Sequence, residues 1–399
     1  MSMPAKILVG CLGASAILAE HDASLDLATS NIPHEESSPH FTLSQTHDDL
    51  LVCAMDITKA ATEPILAKFY RQYLQVIADV TYPPGPLLVK QDVQDCLYKY
   101  FFDASRNKFL PPARYQTRIL KHIIQEIEKA CKDPEEDQVS DQLMEHMAYL
   151  STIPQQSETD EAQQLHVHSY FPPLPLDKSG VQPILIKEAR NLLSKGINVG
   201  LRTWEAALHL AWFLTIQQPD LVKDCNVLEL GAGTGFLSLL CAGHLQASHV
   251  LATDGLGHVC EGLQANVDLN VDNDTLLGHR PPVVRQLDWS DRPEIDQILA
   301  EAKQSGTSYD LIIGADITYR PDILRPLAEV LSLLKDAFPD VAILISAAIR
   351  SDTFANFVAI CQQLKFKVTE MPSKIPEGLR NCGFFHSVAT EIKIVSLDR

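Results

Sequence analysis

A chain of 399 residues, 46% hydrophobic and 21% charged, holds enough apolar material for one large globular domain or two ordinary ones. Lys+Arg number 33 against 51 Asp+Glu, a formal net charge of −18 with no basic run, which excludes a general nucleic-acid binder because phosphate repels such a surface. The acidity serves solubility, or supplies a field that attracts a cationic partner such as a lysine-bearing protein surface. Nine cysteines, an odd number with no CxxC among them, and fourteen histidines without HExxH exclude a disulfide framework and a structural metal site.

In chain order, residues 6–19 (KILVGCLGASAILA) have the thin outline of a secretory leader. The basic region is short and unpaired cysteines suit a reducing compartment, so a cytosolic chain without a membrane span is expected. Residues 1–45 read as a tail, partly disordered, with a Ser/Pro/His-rich stretch from 20. From 46 to 155 the period becomes helical. Ile65, Leu66, Phe69, Tyr73 and Ile77 follow Pro64 at three-to-four spacing, and Val93, Leu97, Tyr100 and Phe101 repeat the pattern after TYPPGP. Ile119, Ile123, Ile127 and Ala130 then share one helix face. Residues 156–180 read as a linker ending in FPPLPLDKSG, with His166 and His168 in a solvated loop. Beyond it, apolar β-branched runs at 226–230, 249–254, 282–288, 309–316, 341–347 and 387–396 alternate with helical stretches. That alternation predicts a mostly parallel sheet covered on both faces over 181–399.

The stretch VLELGAGTG (227–235) raises the question of the ligand. A phosphate-binding loop needs GxxxxGK[ST], and no lysine follows here. A dinucleotide loop needs GxGxxG; Gly231 and Gly233 fit, but the third glycine falls early at Gly235 and Phe236 takes its place. An acid, Glu229, stands beside a loop with no phosphate to neutralise. S-adenosylmethionine carries a cationic amine, a sulfonium and a carboxylate, and bare backbone admits its amino-acid portion closely. The next two strands end in acids. Asp254 is placed for ribose hydroxyls, a role a nicotinamide dinucleotide would share; Asp288 is placed for an adenine amino group, with Trp289 against the ring. Asp288 could instead cap a helix, and Trp289 could be core.

These motifs resemble the seven-β-strand class I methyltransferases, and within them methyltransferase family 16. The resemblance rests on GLRTWEAALHLAWFL (200–214), VLELGAGTGFLSLLCA (227–242), LATDG (251–255), LDW (287–289) and GADITY (314–319). PPARYQTRILKHIIQEIEK (111–129) and DPEEDQVSDQLM are similar to the extra helical region of the elongation factor 2 lysine methyltransferases. The resemblance implies a Rossmann-like α/β fold, a seven-stranded mostly parallel sheet with helices on both faces, preceded by a smaller α-helical region. It further implies S-adenosyl-L-methionine as cofactor, no metal, and a protein substrate, translation elongation factor 2. It places Trp204 and Ala315 at the cofactor, and Asp316 and Tyr319 at the methyl acceptor; Asp316 could instead cap a helix after its strand, and Trp204 could pack an amphipathic helix on the sheet. Trp212 is expected in the core and His386 outside catalysis. Ser351 stands where the family pattern has Asn, which leaves Arg350 as a substrate-side or structural charge. A lysine acceptor must lose its proton, against a free pKa of about 10.4, so a water-poor pocket with a fixed carboxylate suits it. A methyltransferase for another protein or a small molecule remains open, as does a cofactor-binding interaction protein.

Overall fold

The computed structural model describes residues 64–133, 135–154, 164–173, 181–189, 199–376 and 382–399. The apolar run at 6–19, the tail at 1–45, residues 46–63 of the expected helical region, and 156–163 and 174–180 of the expected linker lie outside them.

The first helices are α1 (Pro64–Leu74), α2 (Gly85–Leu88), α3 (Gln91–Leu97), α4 (Ala113–Ala130) and α5 (Asp141–Thr152). Pro64 opens α1, where its fixed φ and missing N–H cost nothing. Ser140 caps α5, its hydroxyl accepting from Leu143 N at 3.4 Å. The expected stripes meet in one core: Phe69 lies 5.0 Å and Tyr73 4.8 Å from the ring centre of Phe101, and Ile119, Ile123 and Ile127 of α4 are fully buried.

The main sheet runs β5 (Val283–Gln286), β4 (His249–Asp254), β3 (Asn226–Leu230), β6 (Leu311–Ala315), β7 (Ala342–Ala348), β9 (Ile392–Asp398), β8 (Lys367–Met371). All neighbours pair in parallel except β9, which is antiparallel to both β7 and β8. The five central strand expectations hold within two residues. The expected last strand at 387–396 begins later, at Ile392, because 382–390 forms a loop held by Arg71 of α1 and by Gln75 just beyond it. Strand β8 (KVTEM) was not expected; it is short and only partly buried at the sheet edge, so it carries no apolar run. Helix α6 (Glu205–Trp212), α7 (Phe236–Leu239, continued by a wide turn Leu240–His244) and α8 (Gly257–Asp272) pack on one face. Helices α9 (Arg292–Ser305), α10 (Leu324–Ala337) and α11 (Thr353–Gln363) cover the other. Trp212 is buried in the core, as expected.

Two expectations are corrected between the helical part and the sheet. The stretch read as linker contains β1 (Leu165–Tyr170), antiparallel to β2 (Ile184–Ala189). The pair is stable because α8 finishes its edge: Asn270 accepts from Leu185 N at 3.0 Å and donates to Leu185 O at 2.6 Å, and Asn266 accepts from Lys187 N at 2.8 Å. His168 is accordingly not in a solvated loop but 5% exposed on β1, with Nδ1 3.5 Å from the buried Glu188 carboxylate. The helical part seats on the loop before β9. Gln75 is buried; it donates to Phe385 O at 2.6 Å and accepts from Phe385 N at 3.1 Å, and Arg71 donates to Cys382 O.

One buried group makes the core acid-sensitive. Burial pushes the His244 imidazole down to about 4, with His279 adding to the effect, and its Nε2 has no hydrogen-bond partner among the described residues. The unfolded chain gains that proton near pH 6.5 and the folded chain resists it, so stability falls as pH drops from about 6.5 to about 4. The full loss is on the order of 3 kcal/mol. His244→Leu is expected to flatten the fall in Tm between pH 7 and pH 4.5, measured by calorimetry.

Candidate functional site

Strand order reverses between β3 and β6: β4 and β5 lie to one side of β3, and β6 and β7 to the other. The loops leaving β3 and β6 diverge there and open a crevice at the carboxyl ends of the strands. A cavity of about 310 Å³ occupies it. Trp204, Glu229, Gly231, Gly233, Asp254, Asp288, Trp289, Ala315, Asp316 and Tyr319 all line it. Five of these positions lie at the ends of β3, β4 and β6 or just beyond, so the parallel order of the strands itself gathers them.

Gly235 is the exception. It does not line the cavity; it is the left-handed residue preceding α7, and a Cβ there would meet Leu263 of α8 at 3.0 Å. Its bare backbone serves helix packing. Gly231 answers to the cavity: φ is +65°, and a Cβ would reach 2.6 Å from Ile317 and 3.4 Å from the Trp289 ring. Gly233 donates its N–H to Asp254 Oδ2 at 3.1 Å, and Asp254 Oδ1 accepts from Leu256 N at 3.1 Å. Asp254 therefore shapes the glycine loop from within the site. Burial pushes its carboxyl above the usual carboxylate range, opposed by those N–H groups.

Glu229 is buried and accepts from the Ser238 hydroxyl. Burial pushes its carboxyl up to about 8, with the Ser238 bond opposing. Ser238 escaped the sequence reading; a single hydroxyl on the inner face of an otherwise apolar helix was the available signal. Asp288 is exposed and accepts from Ser290 N at 2.8 Å, while Asp291 caps α9. The helix-cap alternative for Asp288 is thereby removed. Trp289 is half-buried, packed on one side against the core while lining the cavity.

Asp316 follows β6 with φ +54°, a left-handed conformation that Asp tolerates better than most residues. It caps no helix. Oδ1 accepts from Ala348 N at 3.2 Å and Oδ2 faces Arg350 Nη1 at 3.3 Å. Burial pushes its carboxyl above the usual range, and the Arg350 guanidinium pulls it back. Tyr319 stands at the mouth, 46% exposed, its phenol pushed up by partial burial. Arg350, given only a minor place from sequence, reaches both Asp316 and Glu205, the latter at 2.9 Å, and lies over the Trp204 ring. His386 does not line the cavity; it is half-buried and faces His209 at 3.3 Å.

A second layer was invisible in the sequence. Glu188 accepts from Tyr170 OH at 2.5 Å and from Thr203 N at 2.6 Å. The Thr203 and Thr234 hydroxyls meet at 2.8 Å, and Asn266 donates to Thr234 O at 3.0 Å. These contacts brace the glycine loop from behind. Among the described residues no His/Cys/Asp/Glu group could hold a metal ion, and no helix is long and apolar enough to cross a membrane.

The residues present fit S-adenosylmethionine. A Cβ would fill the cradle at Gly231, the buried carboxyl of Glu229 lines the cavity where a cationic group would favour its ionised form, and half-exposed Trp289 and exposed Asp288 line the same cavity. Comparison with known proteins agrees. The family model described as lysine methyltransferase matches residues 188–364. The chain is 38% identical over 351 residues to protein-lysine N-methyltransferase EFM3 of Chaetomium thermophilum, covering 85% of this chain and 99% of that one. It is 29% identical to human protein-lysine N-methyltransferase EEF2KMT, covering 69% of this chain and 79% of that one. It is 34% identical to EEF1A lysine methyltransferase 3 of Xenopus tropicalis, over 39% of this chain and 62% of that one.

Proposed function

The chain belongs to the lysine methyltransferase family and is an S-adenosylmethionine-dependent protein-lysine N-methyltransferase; on that premise we propose that it methylates translation elongation factor 2 in the cytoplasm. Methyl transfer is supported by one observation, a crevice that joins the glycine loop and Glu229 to Asp316 and Tyr319. The likeness to EEF2KMT covers more of the chain than lies beyond residue 188, so it extends into the helical part, which would hold a large folded substrate. The mouth is exposed at Tyr319, as an acceptor on a protein surface needs.

Bound S-adenosylmethionine supplies an electrophilic methyl group on a sulfonium. The residues of the chain prepare the acceptor. Burial in the crevice disfavours the ammonium form, so the lysine reaches transfer as the free amine, its proton lost to solvent. Asp316 accepts a hydrogen bond from that amine, aims its lone pair, and stabilises the positive charge that grows on nitrogen. Tyr319 offers its ring face or hydroxyl to the same group. Alignment supplies much of the rate.

A second reading has its own support: the Xenopus relative acts, by its name, on EEF1A, and its likeness is confined to a smaller share of the chain. Incubation of the protein and tritiated cofactor with cell lysate is expected to label one band that peptide mapping identifies as elongation factor 2, at a lysine. Label on elongation factor 1A would favour the second reading, and label in the small-molecule fraction would overturn both.

A further inference from the structure

Asp316 has an unusual setting for a carboxylate that must receive a cationic or amine group. Its side chain is 7% exposed, yet one guanidinium already stands on it. That guanidinium is held from three sides. Arg350 Nη1 lies 3.3 Å from Asp316 Oδ2, Nη2 lies 2.9 Å from Glu205 Oε2, and its central carbon is 5.5 Å from the Trp204 ring centre. Arg202 repeats the pattern on the same two partners, 3.2 Å from Glu205 Oε1 and 5.1 Å from the Trp204 ring. Trp204 and Glu205 thus present an anchored shelf at the start of α6, and Arg350 reaches from that shelf to Asp316. The other carboxylate oxygen is tied to Ala348 N at 3.2 Å. Both oxygens are therefore oriented before any acceptor arrives, and each retains a lone pair.

We propose that Arg350 is a positioning residue: it holds Asp316 as an ionised, aligned carboxylate so that the acceptor amine can be received. This rests on the acceptor role given to Asp316 above. The charges facing Asp316 are Arg350 from the segment after β7, which favours ionisation, and Glu205 from α6, which opposes it; Tyr319 and Arg320 follow on its own loop. Burial opposes ionisation as well. Without the guanidinium, burial and Glu205 are opposed by the Ala348 N–H alone, and the carboxyl rises further above the usual carboxylate range. A protonated Asp316 turns a donor toward the amine lone pair and competes with the methyl group for it. Arg350 also places a positive charge near the acceptor, which favours the free amine over the ammonium.

The test is the pH dependence of methyl transfer from pH 5 to pH 9, with total lysate protein as acceptor and label in the methylated band as readout. The unaltered protein is expected to rise with a slope of one as the acceptor ammonium loses its proton. Arg350→Gln should show a steeper rise, toward a slope of two, at the acid end of that range, because the Asp316 carboxyl must then lose a proton as well. Its deficit should be about tenfold or more at the acid end of the range and shrink steadily toward pH 9. Arg350→Lys should recover most of the loss at pH 7. Binding of adenosylhomocysteine, measured by calorimetry, should stay within about threefold in both variants, which separates positioning from misfolding. A deficit by the same factor at every pH, with Asp316→Asn lowered by about 10²-fold or more, would overturn the role of Arg350 alone. A third or more of the activity retained in Asp316→Asn would overturn the acceptor reading and this inference with it.

Discussion

Asp316→Asn is expected to lower kcat/KM for methyl transfer by about 10²–10³-fold, some 3–4 kcal/mol of lost transition-state stabilisation. The substitution suits the question because Asn is nearly isosteric and tolerates the left-handed backbone that Asp316 adopts at φ +54°. Charge changes and shape does not. Oδ1 still accepts from Ala348 N, the contact now made at 3.2 Å. What disappears is the negative pole beside the nitrogen on which positive charge develops. The Michaelis complex carries less of that charge than the transition state, so the loss should fall on kcat more than on KM. Cofactor affinity should change little, because Glu229, Asp254 and the glycine loop are untouched. A variant that keeps a third or more of the activity would remove Asp316 from the acceptor role.

Glu229→Gln should have the second large effect, and of opposite sign on binding and on stability. Burial holds the free carboxyl at about 8, so at neutral pH the ligand-free protein carries it mostly protonated. A cationic ligand in the same cavity favours the carboxylate. Binding at pH 7 should therefore release close to one proton, visible as a calorimetric heat that varies with the ionisation enthalpy of the buffer. Affinity should rise roughly tenfold per pH unit up to about pH 8 and then level. Gln cannot ionise. It should bind S-adenosylmethionine at least about 30-fold more weakly at pH 8, release no proton, and lose the pH dependence. Stability runs the other way. A carboxyl raised from its ordinary 4.5 to about 8 contributes stability below the ordinary value and loses it as pH climbs through 8. Glu229→Gln should accordingly raise the Tm of the ligand-free protein at pH 8. Unchanged binding in this variant would show that Glu229 serves the fold and not the ligand.

The sequence showed the main sheet well because its central strands are buried on both faces and read as unbroken apolar runs. It concealed β1, β2 and β8, which lie at edges or between layers. LHVHSY looks like a polar loop until α8 and Glu188 are set against it. The site was legible to the extent that it lies just beyond strand ends. Glu229, Asp254, Asp288 and Asp316 each follow an apolar run, and parallel strands must bring such positions to one rim. Gly235 was misplaced because its spacing reports a backbone turn, not the direction in which the turn faces. Arg350 was undervalued because it was weighed by its neighbour Ser351, when its partners are 34 and 145 residues away.

By itself the chain of residues determined what is local: which stretches alternate or repeat, where glycine frees the backbone, and which acids end the strands. It also bounded the ligand, since a loop without lysine beside a carboxylate suits a cation and not a phosphate. Only the tertiary structure decided which charges share a space. Ser238 beneath Glu229, Arg350 on Asp316, and Gln75 against Phe385 are side-chain meetings across separate elements. Such meetings depend on burial and distance in three dimensions, and hydrogen bonds of this kind leave no period along the chain.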